Sequence, residues 1–127
     1  MPKTHKFWSS RIKKYLTDDL RKPPWKGHPN PIAGHCYVAS EALYHLLKGQ
    51  RGKWRPEQLK HEGVSHWYLR HKKTGTVLDL TVSQFKKIPP YHKGKSRGFL
   101  TKRPSKRAAQ VISNVLAEDL SLLYDLG

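Results

Sequence analysis

A chain of 127 residues with 25 Lys and Arg against 9 Asp and Glu carries a formal net charge of +16, an excess that points to a polyanionic partner or surroundings. Hydrophobic residues make up 36% and aromatic residues 10%, so one folded domain with a modest core is expected and a disordered tail is not. A single cysteine excludes an internal disulfide and any cysteine-rich zinc site, and no apolar run approaches the length of a membrane span.

The opening stretch MPKTHKFWSSRIKKYL lacks the apolar region of a signal peptide, so the expected setting is a reducing cytoplasm. In FWSSRIKKYLTDDL the residues Ile12, Tyr15, Leu16 and Leu20 recur at helical spacing behind a cap at Ser9 or Ser10, which predicts a first amphipathic helix. RKPPWKGHPNPIAG, with four prolines and two glycines, then stops it and forms an irregular segment in which Trp25 and Ile32 need burial. A second helix runs from Cys36 with Ala39, Ala42, Leu43, Leu46 and Leu47 on one side and ends at Gly49.

RGKWRPEQLKHEG reads as a connector with a short helical turn after Pro56. GVSHWYLRHKKTGTVLDLT reads as strand, turn and strand over residues 64–70 and 76–81. A basic loop over residues 86–107 follows. Ser105 then caps a last helix whose apolar stripe comprises Ala108, Val111, Ile112, Val115, Leu116, Leu120 and Leu123. The fold class is therefore α+β, a single domain of residues 1–127, with residues 1–35 preceding a core of residues 36–127.

Alternation along the hairpin puts Val64, His66 and Tyr68 on one face and Val77, Asp79 and Thr81 on the matching face of the partner strand. Trp67, Leu69, Leu78 and Leu80 then point to the core. A turn over residues 71–74 sets His66 directly opposite Asp79, and another turn length offsets them by a residue or two. A thiol at a helix start is favoured as thiolate by the helix terminus and by a nearby imidazolium, and a carboxylate on the other ring nitrogen orients that imidazole. Cys36 as nucleophile, His66 as base and acid and Asp79 as orienter make a complete set for acyl transfer, with no cofactor required. Helix-start amides supply part of an oxyanion hole, and Asn30, Trp25 and His28 are the upstream candidates for a second donor.

The order Cys, His, Asp, with the cysteine opening a helix and the other two on successive strands, resembles the papain-like and transglutaminase-like thiol enzymes. GHCYVASEALYHLL looks like their nucleophile helix. SHWYL followed by LDLT is similar to the transglutaminase pattern of a His-Trp strand and an Asp-Pro-Thr strand, with Thr81 in the last position and Leu80 in place of the proline. SHWYLRHKKTGTVLDLTVSQF with GFLTKRPSKRAAQVI further resembles small YunG-like proteins of bacteria and phages. The wider superfamily implies a papain-like core, a nucleophile helix on a small antiparallel sheet, and thiol acyl chemistry: peptide or isopeptide hydrolysis, amide transfer or glutamine deamidation.

Each of these residues also has an ordinary structural reading, since a free cysteine is often core and a histidine before tryptophan is often packed. His28, His35, His45, His61, His71 and His92 fit no HExxH or CxxC…H spacing, so no metal site is expected. No acid occurs between Asp79 and Glu118, an interval that holds Lys86, Lys87, Lys93, Lys95, Arg97, Lys102 and Arg103, with Tyr91 and Phe99 interleaved. Three readings follow: a thiol enzyme acting on an amide of a protein or peptide, its positive charge drawing an acidic or nucleic-acid-bound target; a nucleic-acid-binding protein; or a non-enzymatic interaction or inhibitor protein of phage type on a thiol-enzyme fold.

Overall fold

The structure, a computed structural model, describes residues 4–99 and 102–125, with backbone alone for residues 121–125. Helix α1 (His5–Lys14) begins after Thr4, whose hydroxyl accepts from Phe7 N at 3.4 Å. The cap thus lies upstream of Ser9 and Ser10, both of which sit inside the helix. Trp8 and Ile12, one turn apart, form its buried face, while Leu16 and Leu20 reach the same core from the turns that follow.

The Pro/Gly-rich segment is organised by Arg21, a side chain the sequence did not single out. It is only 5% exposed, and its guanidinium donates to the Asp18 carboxylate and to the carbonyls of His28, Asn30 and Ala33. A buried cation needs such partners, and here they are the backbone of the loop itself. The chain then enters helix α2 (Cys36–Leu46), with Val38, Ala39, Ala42 and Leu43 buried and Leu46 and Leu47 packed at the margin.

Residues expected to form a connector instead form β1 (Trp54–His61), the longest partner of β2 (Val64–His71). Pro56 is tolerated because its carbonyl accepts from Arg97 N, so its missing N–H faces the side where β4 (Lys95–Ser96) ends. Glu62 (φ 48°) and Gly63 (φ 82°) join β1 to β2, both left-handed as a two-residue type I′ turn demands. Strand β3 (Val77–Leu78) completes an antiparallel sheet of order β3-β2-β1-β4. Residues 86–107 are therefore not a loop throughout, since they contribute β4 and a short helical turn at Tyr91–Lys93.

Helix α2 packs on β2 and β1 and is flanked by α1 and by α3 (Lys106–Asp125), so the described residues form an α+β fold of three helices and a four-stranded antiparallel sheet. Leu69, Leu78 and Leu80 face those helices, as alternation predicted. Ser105 caps α3 as expected: its Oγ accepts from Ala108 N at 3.3 Å. Both Ser105 N and Ser105 Oγ donate to the buried carboxylate of Glu41, at 2.9 and 2.7 Å, which sets a negative charge from α2 at the N-terminus of α3. The apolar stripe of α3 leaves the core after Val115: Leu116 and Leu120 are exposed, and the side chain of Leu123 lies outside the described residues. Among the described residues no helix is long and apolar enough to cross a membrane.

Candidate functional site

Strand β3 pairs only with Leu69 and Arg70, which leaves the outer edge of β2 open before them. Helix α2 brings its first residue to that edge: Cys36 Sγ lies 3.7 Å from the Ser65 carbonyl, half-exposed at the mouth of a cleft of about 280 Å³. Trp25 and Gly34 form one wall, Trp67 and Tyr37 another, and Gln84, Lys22 and Arg107 the rim. Gly34 (φ +82°) lets the loop turn into the helix, and a Cβ there would stand 2.5 Å from Trp25 Cγ, so the wall packs directly on the glycine.

The hairpin closes with His71 N donating to Thr76 O, a register two residues away from the one that sets His66 opposite Asp79. A shift of two preserves the face, and the side chains bridge the offset: Asp79 Oδ2 accepts from His66 Nε2 at 2.5 Å. The same oxygen accepts from the Tyr91 hydroxyl at 2.7 Å, and Oδ1 accepts from Thr81 N at 3.2 Å. With Nε2 committed to Asp79, Nδ1 is left for the two other groups near the ring, the Cys36 thiol and the Gln84 amide, the latter at 3.4 Å. Phe85 packs edge-on at 4.6 Å and Tyr68 stacks below, so the imidazole is fully buried between aromatic walls.

Burial disfavours a charged His66, but the hydrogen bond to Asp79 and the adjacent Cys36 more than offset it and push its pKa up to about 9. His35, immediately before Cys36, has the opposite fate. Burial, then Arg21 and Arg107, push its pKa down to about 4, and neither ring nitrogen has a hydrogen-bond partner among the described residues. The two shifts give stability opposite slopes. The His66 contribution is complete below the unfolded value of about 6.5 and is lost as pH rises through about 9. The His35 contribution is complete above about 6.5 and is lost as pH falls through about 4. Thermal melts across this range are expected to show a maximum between the limbs, each limb spanning about 3 kcal/mol. His66→Gln should flatten the alkaline limb and His35→Gln the acid one; limbs unchanged in these variants would remove the assignment.

Of the upstream oxyanion candidates, Trp25 lines the cleft. Asn30 and His28 do not: Asn30 Oδ1 accepts from Ile32 N, His28 Nδ1 accepts from Asn30 N, and both carbonyls are held by Arg21. Sequence reasoning missed Gln84, which lines the cleft and donates to Thr81 Oγ1 at 3.2 Å. It stands on a short helical turn after β3, five residues past Asp79, where no sequence pattern marks it. The first-turn N–H groups of α2 are not taken up by the side chain of its cap residue, His35.

The basic residues divide. Lys86 and Lys87 sit at the β1–β2 turn, where their N–H groups donate to the Glu62 carboxylate. Lys93, Lys95 and Arg97 line a trough beside β4, Arg97 and Lys102 line a second one, and Arg103 lines neither. Among the described residues no group of three or more His, Cys, Asp or Glu is placed to hold a metal ion. Comparison of the chain with family models, with curated proteins and with solved structures gives no significant match.

Proposed function

We propose that the chain is a cysteine-dependent acyl-transfer enzyme on a papain-like or transglutaminase-like core, acting on an amide of a protein or peptide. The observation that carries this reading is the His66 ring held between the Cys36 thiol and the Asp79 carboxylate beside an open cleft. His66 Nδ1 takes the thiol proton before the attack, in the thiolate–imidazolium pair that a ring pKa of about 9 favours, and Sγ then attacks the carbonyl carbon. The resulting oxyanion is met by the first-turn N–H groups of α2 and by Gln84. Collapse breaks the C–N bond, and the proton held on His66 passes to the leaving amine, giving a thioester on Cys36. Water or a second amine, deprotonated by the same ring, then releases the acyl group. A ring with a pKa of about 9 accepts the first proton readily and holds it beside the leaving group.

The test is acylation of Cys36 by p-nitrophenyl acetate in the folded, full-length chain. A burst of about one equivalent of p-nitrophenolate is expected, with the acetyl group located on Cys36 by mass spectrometry. His66→Ala should slow the burst by about a hundredfold or more. A Cys36 that is unreactive in the native protein, or that reacts equally fast without His66, would refute the enzyme reading.

A further inference from the structure

Two basic troughs lie against edge strand β4, and the first of them shares Ser65 with the lining of the Cys36 cleft. The first, about 360 Å³, is lined by Lys60, Lys93, Lys95 and Arg97 together with Ser65. Ser65 also lines the cleft of Cys36, and its carbonyl is the thiol's neighbour. At the other end Arg97 is shared with the second trough, about 740 Å³, where Lys48, Arg51 and Lys102 join it. No carboxylate lines either trough, and none of these cations is ion-paired among the described residues. The sheet register explains the alignment, because Lys60 pairs with Ser65 and Gln58 pairs with both Trp67 and Lys95, which puts their side chains on one face.

Two features distinguish what would lie in this path. Lys95 and Arg97 turn their backbone groups to β1, so Ser96 between them turns its N–H and C=O to the open edge, the hydrogen-bonding pair that an extended peptide strand uses. The rings along the path, by contrast, are committed to one another: Phe99 stacks on Trp67 at 5.4 Å and meets Tyr44 and Tyr37 edge-on. They form a cluster at the second trough and the cleft, and no ring lines the first trough, so the path holds no row of platforms for bases. The far end, moreover, opens on a thiol that needs a carbonyl to attack.

We infer that this path binds an extended acidic peptide segment, which starts at the open edge of β4 with its carboxylates on Lys93, Lys95 and Arg97 and crosses the sheet past Lys60 and Ser65 to bring its reacting amide to Cys36. The inference rests on the acyl-transfer reading for the last step alone, since binding and occlusion of the thiol require no turnover.

The experiment uses fluorescein-labelled octaglutamate and octathymidylate as probes of the full chain, with anisotropy for affinity and iodoacetamide alkylation for occupancy at Cys36. Octaglutamate should bind more tightly than octathymidylate at equal salt and should slow alkylation of Cys36 by about tenfold or more. The triple variant Lys93→Glu, Lys95→Glu, Arg97→Glu should lose about tenfold or more in peptide affinity and all of the protection. The three side chains are exposed, and the triple Gln variant, expected to lie between wild type and reversal, guards against an effect of reversal on the fold. Tighter binding of octathymidylate, peptide affinity unchanged by reversal, or a Cys36 left unprotected would each overturn the inference. Protection that survives in a chain showing no acylation burst supports the path and removes the acyl-transfer reading alone.

Discussion

Asp79→Asn should slow acylation of Cys36 by about 10³–10⁴-fold in a protein that still folds, its melting curve matching wild type above pH 9 and falling below it at neutral pH, where a charged His66 no longer has the carboxylate. The surroundings of the carboxylate dictate which way the new amide turns. Thr81 N–H is a fixed backbone donor aimed at the Oδ1 position, so the amide oxygen must take that place. The amide nitrogen then occupies the Oδ2 position, where it donates to His66 Nε2 and to the oxygen of Tyr91, whose hydroxyl can rotate away. Every hydrogen bond is remade, which is why the fold survives. The imidazole, however, now carries its proton on Nδ1, facing Cys36, and cannot receive the thiol proton. Burst kinetics and a melting curve on the same sample check both halves, and a variant acylated at the wild-type rate would take Asp79 out of the mechanism.

Glu57→Ala should cost about 3–5 kcal/mol of folding stability, read from denaturant unfolding. Glu57 is 3% exposed and holds a network on the face of the sheet away from the helices. Its Oε1 accepts from the Tyr68 hydroxyl at 2.9 Å and from Arg70 Nε at 2.8 Å, and its Oε2 accepts from Arg55 Nε at 3.1 Å. Removing the carboxylate leaves a fully buried Tyr68 hydroxyl with only a long 3.4 Å contact to the Tyr91 carbonyl, and leaves the Arg70 charge with backbone carbonyls but no counter-ion. Arg70 also donates to the Tyr91 carbonyl at 2.8 Å, and the Tyr91 hydroxyl donates to Asp79, so the network reaches the candidate site from behind. Glu57→Gln keeps the shape and one acceptor and should lose less than half as much. A Glu57→Ala protein as stable as wild type would show that the network contributes nothing net.

The parts of this molecule legible in its sequence are those where hydrophobic pattern and punctuation agree. Helix α2 is announced by the change from Pro/Gly to an apolar period at Cys36, and the parity of His66 and Asp79 survives even though the hairpin turn falls over residues 72–75 and not 71–74, because the resulting two-residue slip keeps the face. Strand β1 was hidden for a physical reason. Its buried positions include Pro56 on one face and the ion-paired Glu57 on the other, so neither face reads as an apolar alternation. Helix α1 starts earlier than Ser9 and Ser10, residues that resemble caps, because Thr4 has the capping hydroxyl and the serines ride on the helix. The roles of Gln84 and Arg21 depend on contacts between distant turns, which no local spacing encodes.

The width of the Cys36 cleft is set by an atom that is not there. Trp25 rests against Gly34 where a β-carbon would stand 2.5 Å away, and the φ of +82° already disfavours any other residue at that position. On the acyl-transfer reading, position 34 therefore governs which acyl groups enter, although nothing it carries reaches the sulfur. A single methyl there forces a shift at the indole, so on that same reading one codon changes the preference between bulky and slender acyl groups with Cys36, His66 and Asp79 all left as they are.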